Sequence, residues 1–117
     1  LLGLVVSAYG AHGLPATLSE TAQRSLDTAT EIHMVHGLGL CLVGWSCLRL
    51  DARRLLWAAG GAMLLGVVLF CGGIYAKTLW HATSAGPLVP WGGVALMAGW
   101  VLFVSGWLRS GNISAPR

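Results

Sequence analysis

Four histidines stand in a chain with only 9% charged residues, and their neighbours decide what chemistry they could do. His12 lies in the run Tyr9-Gly10-Ala11-His12-Gly13, His33 and His36 sit three apart just after Glu31, and His81 follows Trp80. Residues three apart are neighbours on a helix surface, so His33 and His36 can share one face. Tyr75 and Lys77 fall at a comparable depth on a later apolar run. Ionisable groups inside apolar segments are expensive and invite a functional reading. A polar site built on His12, His36 and Tyr75, with Glu31, His33 and Lys77 nearer the surface, could carry protons, bind a metal or recognise a lipid or quinone headgroup. The alternative is structural: His12 and His36 hydrogen-bond across two helix ends and lock them together, because buried polar groups need partners in any case. The structural alternative is the one favoured.

Other chemistry finds less support. Zinc takes three or four ligands, held in turn by hydrogen bonds from behind, and two histidines at this spacing fall short. Haem held by two histidines would need them facing each other from separate helices at matching depth, which His12 and His36 could offer only near an interface. Ser, Thr and Cys nucleophiles lack a base and an orienting acid nearby. Nothing resembles a phosphate loop or a nucleic-acid surface. Neither an enzyme, nor a metal, cofactor or nucleic-acid partner is therefore expected.

The elements that hold these residues follow from the solvent the sequence is suited to. Hydrophobic residues make up 56% of the 117, and the mean hydropathy is +0.72. Soluble domains carry about a quarter charged residues, and a chain this short could not hide so much apolar area inside itself. Lipid must cover the rest. Backbone groups in hydrocarbon bond within their own segment, so the long apolar runs are expected to be helices.

The reading is a single all-α domain over 1–117, an integral membrane bundle of four transmembrane helices. The first runs over about 1–13 and ends at Gly10, Gly13 and Pro15. Thirteen residues span only about 20 Å of a roughly 30 Å core, so its first half is expected to precede Leu1. Thr17 and Glu20 form a capping-box pattern, and Leu18, Ala22, Leu26 and Ala29 then recur at helical spacing, which predicts a short amphipathic interfacial helix over about 17–27. Glu20 and Arg24, four apart, read as an exposed pair. Further spans are expected over about 28–48, 55–79 and 87–108, with a polar tail over 109–117.

Arg49, Arg53, Arg54, Arg109 and Arg117 fall at one side of these spans, leaving Arg24 and Lys77 at the other. By the positive-inside rule the arginine side, with the Arg49 to Arg54 loop and the C-terminus, faces the cytoplasm of a bacterium or the matrix of a mitochondrion, in the inner membrane of either. Trp57, Trp80, Trp91 and Trp107 fall near span ends, as an aromatic belt would, while Trp45 and Trp100 lie deeper and read as packing residues. Small residues four apart, Gly37 and Cys41, then Ala58, Ala62 and Gly66, then Ala95 and Gly99, suggest rows where helices pack closely. Cys41, Cys47 and Cys71 are isolated in apolar runs and read as packing residues.

With the segments placed, several strings are recognisable together. Tyr9-Gly-Ala-His-Gly-Leu14, Thr28-Ala-Thr-Glu-Ile-His-Met-Val-His-Gly-Leu-Gly-Leu40, Phe70-Cys-Gly-Gly-Ile-Tyr75 and Val89-Pro-Trp-Gly-Gly-Val94 running on to Gly99-Trp100 resemble, in order, the four helix signatures of one family. That family is the bacterial domain of unknown function 423, whose eukaryotic relatives include transmembrane protein 256. The departures are local: Ile32 stands where an aromatic is common and Cys71 where serine is common. The resemblance implies a small four-helix membrane protein and brings no established activity.

Small size and the lack of a catalytic set point to a non-catalytic accessory or structural subunit. It would pack among lipids and other membrane subunits of a larger assembly, a respiratory or other energy-converting complex being the kind of host. A small transporter or channel using the His-containing face is the alternative.

Overall fold

Leu2–His12 forms the first helix, α1, in a computed structural model that describes residues 1–13 and 18–113, the side chains of Ala11, Asn112 and Ile113 apart. At 11 residues it covers about 16 Å. The second helix, α2, spans Glu20–Arg49 and starts at Ser19, whose side chain accepts a hydrogen bond from the Ala22 amide at 3.3 Å. Glu20 adds negative charge where the helix dipole is positive. Thr17 of the expected capping box lies outside the described residues.

Neither glycine nor proline occurs between Glu20 and His36, so nothing interrupts the hydrogen-bond ladder at Asp27. The expected interfacial helix over 17–27 is therefore not a separate element: residues 20–27 are the first turns of a single 30-residue helix. At about 45 Å, α2 exceeds the hydrocarbon core, and the turns bearing Glu20, Arg24 and Asp27 are the polar excess. Glu20 and Arg24 pair there on the exposed face.

The third helix, α3, runs Arg53–Leu79, and the fourth, α4, runs Leu88–Ile113 after a 3-10 turn at Thr83–Ala85. Pro90 sits in the first turn of α4, where its missing N–H would have had no helical acceptor. The three helices α2, α3 and α4 are each long and apolar enough to cross a bilayer. Short connections make them alternate in direction. The end of α2, the start of α3 and the end of α4 thus share one side, which gathers Arg49, Arg53, Arg54 and Arg109; Arg117 lies outside the described residues. α1 runs antiparallel to α2, with Gly3 against His33 and Met34 and Gly10 near Gln23, Leu26 and Asp27.

The tightest packing joins α3 to α4, and it repeats every seven residues. Leu56, Met63 and Phe70 of α3 lie over Gly106, Gly99 and Gly92 of α4, while Leu96 and Val89 of α4 lie over Gly66 and Gly73 of α3. A Cβ on Gly99 would come 2.5 Å from Met63 Cγ, one on Gly66 2.6 Å from Leu96 Cδ2, and one on Gly92 would strike the Phe70 backbone. Each large side chain fills the space left by a missing one, in antiparallel register. A seven-residue repeat keeps this seam facing its partner when the helices coil gently around each other. Leu56, Ala59, Met63 and Cys71 are completely buried as a result.

This seam corrects the expected four-residue rows. Gly66 and Gly99 do lie in it, but Gly37, Cys41 and Ala58 are exposed, and Ala62 and Ala95 are half-buried. Two antiparallel helices that interlock by seven bring forward the positions seven apart. Gly92→Ala should lower stability in detergent by about 1–3 kcal/mol, because the added methyl meets backbone. Gly61→Ala, where a Cβ meets nothing within 4 Å, should leave the thermal midpoint unchanged or raise it.

Candidate functional site: a polar seam across three helices

The glycine seam draws α4 close to α3, and this closeness lets the aromatic residues of α4 reach α2. Trp100 Nε1–H donates to His36 Nε2 at 3.0 Å, and His36 Nδ1 lies 2.8 Å from the Ile32 carbonyl oxygen. The indole can only donate and the carbonyl can only accept. His36 must therefore carry its proton on Nδ1 and accept on Nε2, the neutral imidazole with both nitrogens used. Its side chain is buried, with its ring meeting that of Trp100 edge-on at 6.0 Å.

About two turns along α4 toward the arginine end the motif recurs. Trp107 Nε1–H donates to Ser46 Oγ at 3.1 Å, and Ser46 Oγ–H donates to the Leu42 carbonyl at 2.7 Å. Phe103 stands between the two indoles, edge to face with both, at 6.0 and 6.5 Å. Toward the other end, His33 Nδ1 lies 3.3 Å from the Tyr75 hydroxyl, and Thr30 Oγ–H donates to the Leu26 carbonyl at 2.7 Å. Leu26, Ala29, Val67, Cys71, Tyr75 and Leu96 form the apolar cluster around this end. No buried side-chain nitrogen or oxygen among the described residues lacks a hydrogen-bond partner.

Of the six residues expected to share a site, the structure joins His33 to Tyr75 and places His36 one turn away in the same seam. His12 is not among them. Antiparallel packing puts Gly3 beside His33, so His12, nine residues on, lies about 13 Å further along the axis, exposed at the bundle end. The expected His12–His36 lock is replaced by Trp100–His36. Glu31 and Lys77 are exposed and off the seam, Glu31 on α2 and Lys77 in the last turn of α3. Trp100, Trp107, Ser46 and Thr30 are the seam residues that sequence reasoning missed. Their signal was the seven-residue spacing of the two tryptophans, which places both on one face of α4. Trp45, expected to pack inside, is exposed, with the Arg49 guanidinium 4.6 Å above its ring.

The comparisons with known proteins place the chain among membrane proteins. The family described as Protein of unknown function (DUF423) matches residues 6–93. The chain belongs to this family. Among its relatives, the UPF0382 membrane protein YwdK of Bacillus subtilis is 33% identical over 104 residues, covering 89% of this chain and 85% of the relative. The UPF0382 membrane protein SERP0230 of Staphylococcus epidermidis is 32% identical over 109 residues, 93% of this chain and 88% of its own. The UPF0382 inner membrane protein YgdD of Escherichia coli is 29% identical over 106 residues, 91% of this chain and 80% of its own. No solved structure matches. Membrane-protein relatives that match most of the chain, together with three helices long and apolar enough to span, make this an integral membrane protein.

A double-mutant cycle weighs the central bond. His36→Leu, Trp100→Phe and the combination should couple by about 0.6–1.7 kcal/mol in a detergent unfolding titration. Strictly additive effects would show that the two side chains do not interact.

Proposed function

We propose that the chain is a non-catalytic accessory or structural subunit that docks on a larger assembly in the inner membrane. The observation that carries this reading is an unfilled row on α2. Gly37, Cys41 and Gly44 lie exposed along that helix, and a Cβ on either glycine would meet nothing within 4 Å. Between α3 and α4 glycine grooves of this kind are filled by the partner helix. In lipid, small residues on a helix surface let another backbone approach closely. Leu38 and Trp45, 70% and 57% exposed, flank the row and offer bulk to a partner.

The membrane frame that goes with it has α1 within a fourth span. The arginine end faces the cytoplasm, by the positive-inside rule. The polar first turns of α2 then lie at the opposite headgroup level.

Cys41 supplies the test, because it sits in the middle of the open row. A maleimide–benzophenone cross-linker attached to Cys41 in native membranes, with Cys47 and Cys71 replaced by alanine, should on illumination join the chain to one larger membrane protein, because the ketone inserts into C–H bonds and needs no partner thiol. Gly37→Leu with Gly44→Leu should reduce copurification of that protein by fivefold or more. A chain that purifies alone and monodisperse in mild detergent, with no cross-linked partner, would contradict the assignment.

A further inference from the structure

The end of the bundle opposite the arginines opens into a cleft of about 1080 Å³ between α1, the first turns of α2, the end of α3 and the start of α4. Its lining is of two kinds. Val5 and Val6 of α1, Ile74 and Leu79 of α3 and Val89 of α4 supply apolar walls. Ser25, Lys77 and His81 supply polar groups beside them. Apolar walls next to polar and cationic groups suit the two parts of a lipid, chain and headgroup. The volume lies just above the range of about 300–1,000 Å³ for small-molecule pockets.

The charge at the rim has one sign. Among the described residues no Asp or Glu lines the cleft, and their single ion pair, Arg24 with Glu20, does not involve Lys77. The exposed ammonium is thus without an anionic partner among the described residues. His81 lines the same cleft and has a backbone φ of 54°, the left-handed conformation that residues with a Cβ adopt at a cost. Such strain is concentrated at functional places and persists only where the surroundings hold it. Trp80, 73% exposed between these two residues, puts the rim at the headgroup level where indoles settle.

We propose that this cleft binds an anionic phospholipid, its acyl chain against Val5, Val6, Ile74 and Val89 and its phosphate against Lys77 and His81. The site lies at the opposite end from the cytoplasmic arginines and is independent of the α2 row assigned to a protein partner. Its role is to hold a lipid of defined charge in the outer leaflet against the chain.

Native mass spectrometry of the full chain, released from detergent with phosphatidylglycerol or phosphatidylcholine added, tests it. One phosphatidylglycerol per chain should be retained in preference to phosphatidylcholine. Lys77→Gln should weaken phosphatidylglycerol binding about fivefold, the worth of one cationic contact at a membrane surface, and leave phosphatidylcholine unchanged. His81→Asn tolerates the left-handed backbone and should weaken it in the same direction. Arg53→Gln with Arg54→Gln, at the far end, should not alter it. Equal retention of the two lipids, an unaffected Lys77→Gln variant, or loss of binding in the arginine variant would overturn the proposal. So would displacement by soluble glycerol phosphate as effective as by the lipid, which would mark a free-phosphate site.

Discussion

Close approach of two helix backbones is the constraint on which this fold rests. In lipid the hydrophobic effect gives helices little reason to adhere, because the acyl chains around them are as apolar as leucine. Cohesion must come from contact at short range, and contact at short range needs missing side chains. α3 and α4 meet this need reciprocally, each offering glycines to the other's large residues at seven-residue steps. A helix pair joined on one helix's glycines alone would leave half of its seam at ordinary distance.

The polar seam depends on that approach. Indole donors have a short reach, and Trp100 and Trp107 can meet His36 and Ser46 only if α4 is drawn in toward the α2–α3 pair. Each bond then uses a group that would be costly to leave unpaired in hydrocarbon. His36 and Ser46 are both saturated by one bond to their own helix and one from α4. Dispersion sets the distance between the helices, and these donors set their rotation. The aromatic column from Trp100 through Phe103 to Trp107 fills the remaining space.

Much of this was legible in the sequence. Hydropathy marked the long helices, and their ends fall within a few residues of expectation at Leu79 and Arg49. The boundary at Asp27 was misread because polarity was taken for a break. Helix continuity depends on backbone breakers, and there are none there. The site was legible in type and partly in membership: His33, His36 and Tyr75 are in it, while His12 is not. What misplaced His12 was depth, since α1 is offset along α2 by its own packing at Gly3, a tertiary fact that no local pattern encodes. The small-residue rows erred in period. Four-residue spacing is what one helix shows, whereas two coiling helices select the sevenfold positions, and those become visible only when both partners are known.

The picture is of a membrane bundle whose interior is spent on holding itself together. The register of α3 against α4 is the point at which it can be tested most directly. In a variant lacking Cys41, Cys47 and Cys71, Leu55→Cys paired with Gly106→Cys should form a disulfide readily in native membranes under mild oxidation, because a Cβ at position 106 lies 3.6 Å from the Leu55 Cβ across the seam. Trp57→Cys with Gly106→Cys should not, because Trp57 is exposed on the outer face of α3. Efficient cross-linking of the second pair and none of the first would show that α3 and α4 do not interlock in this register, and the structure above them would have no support.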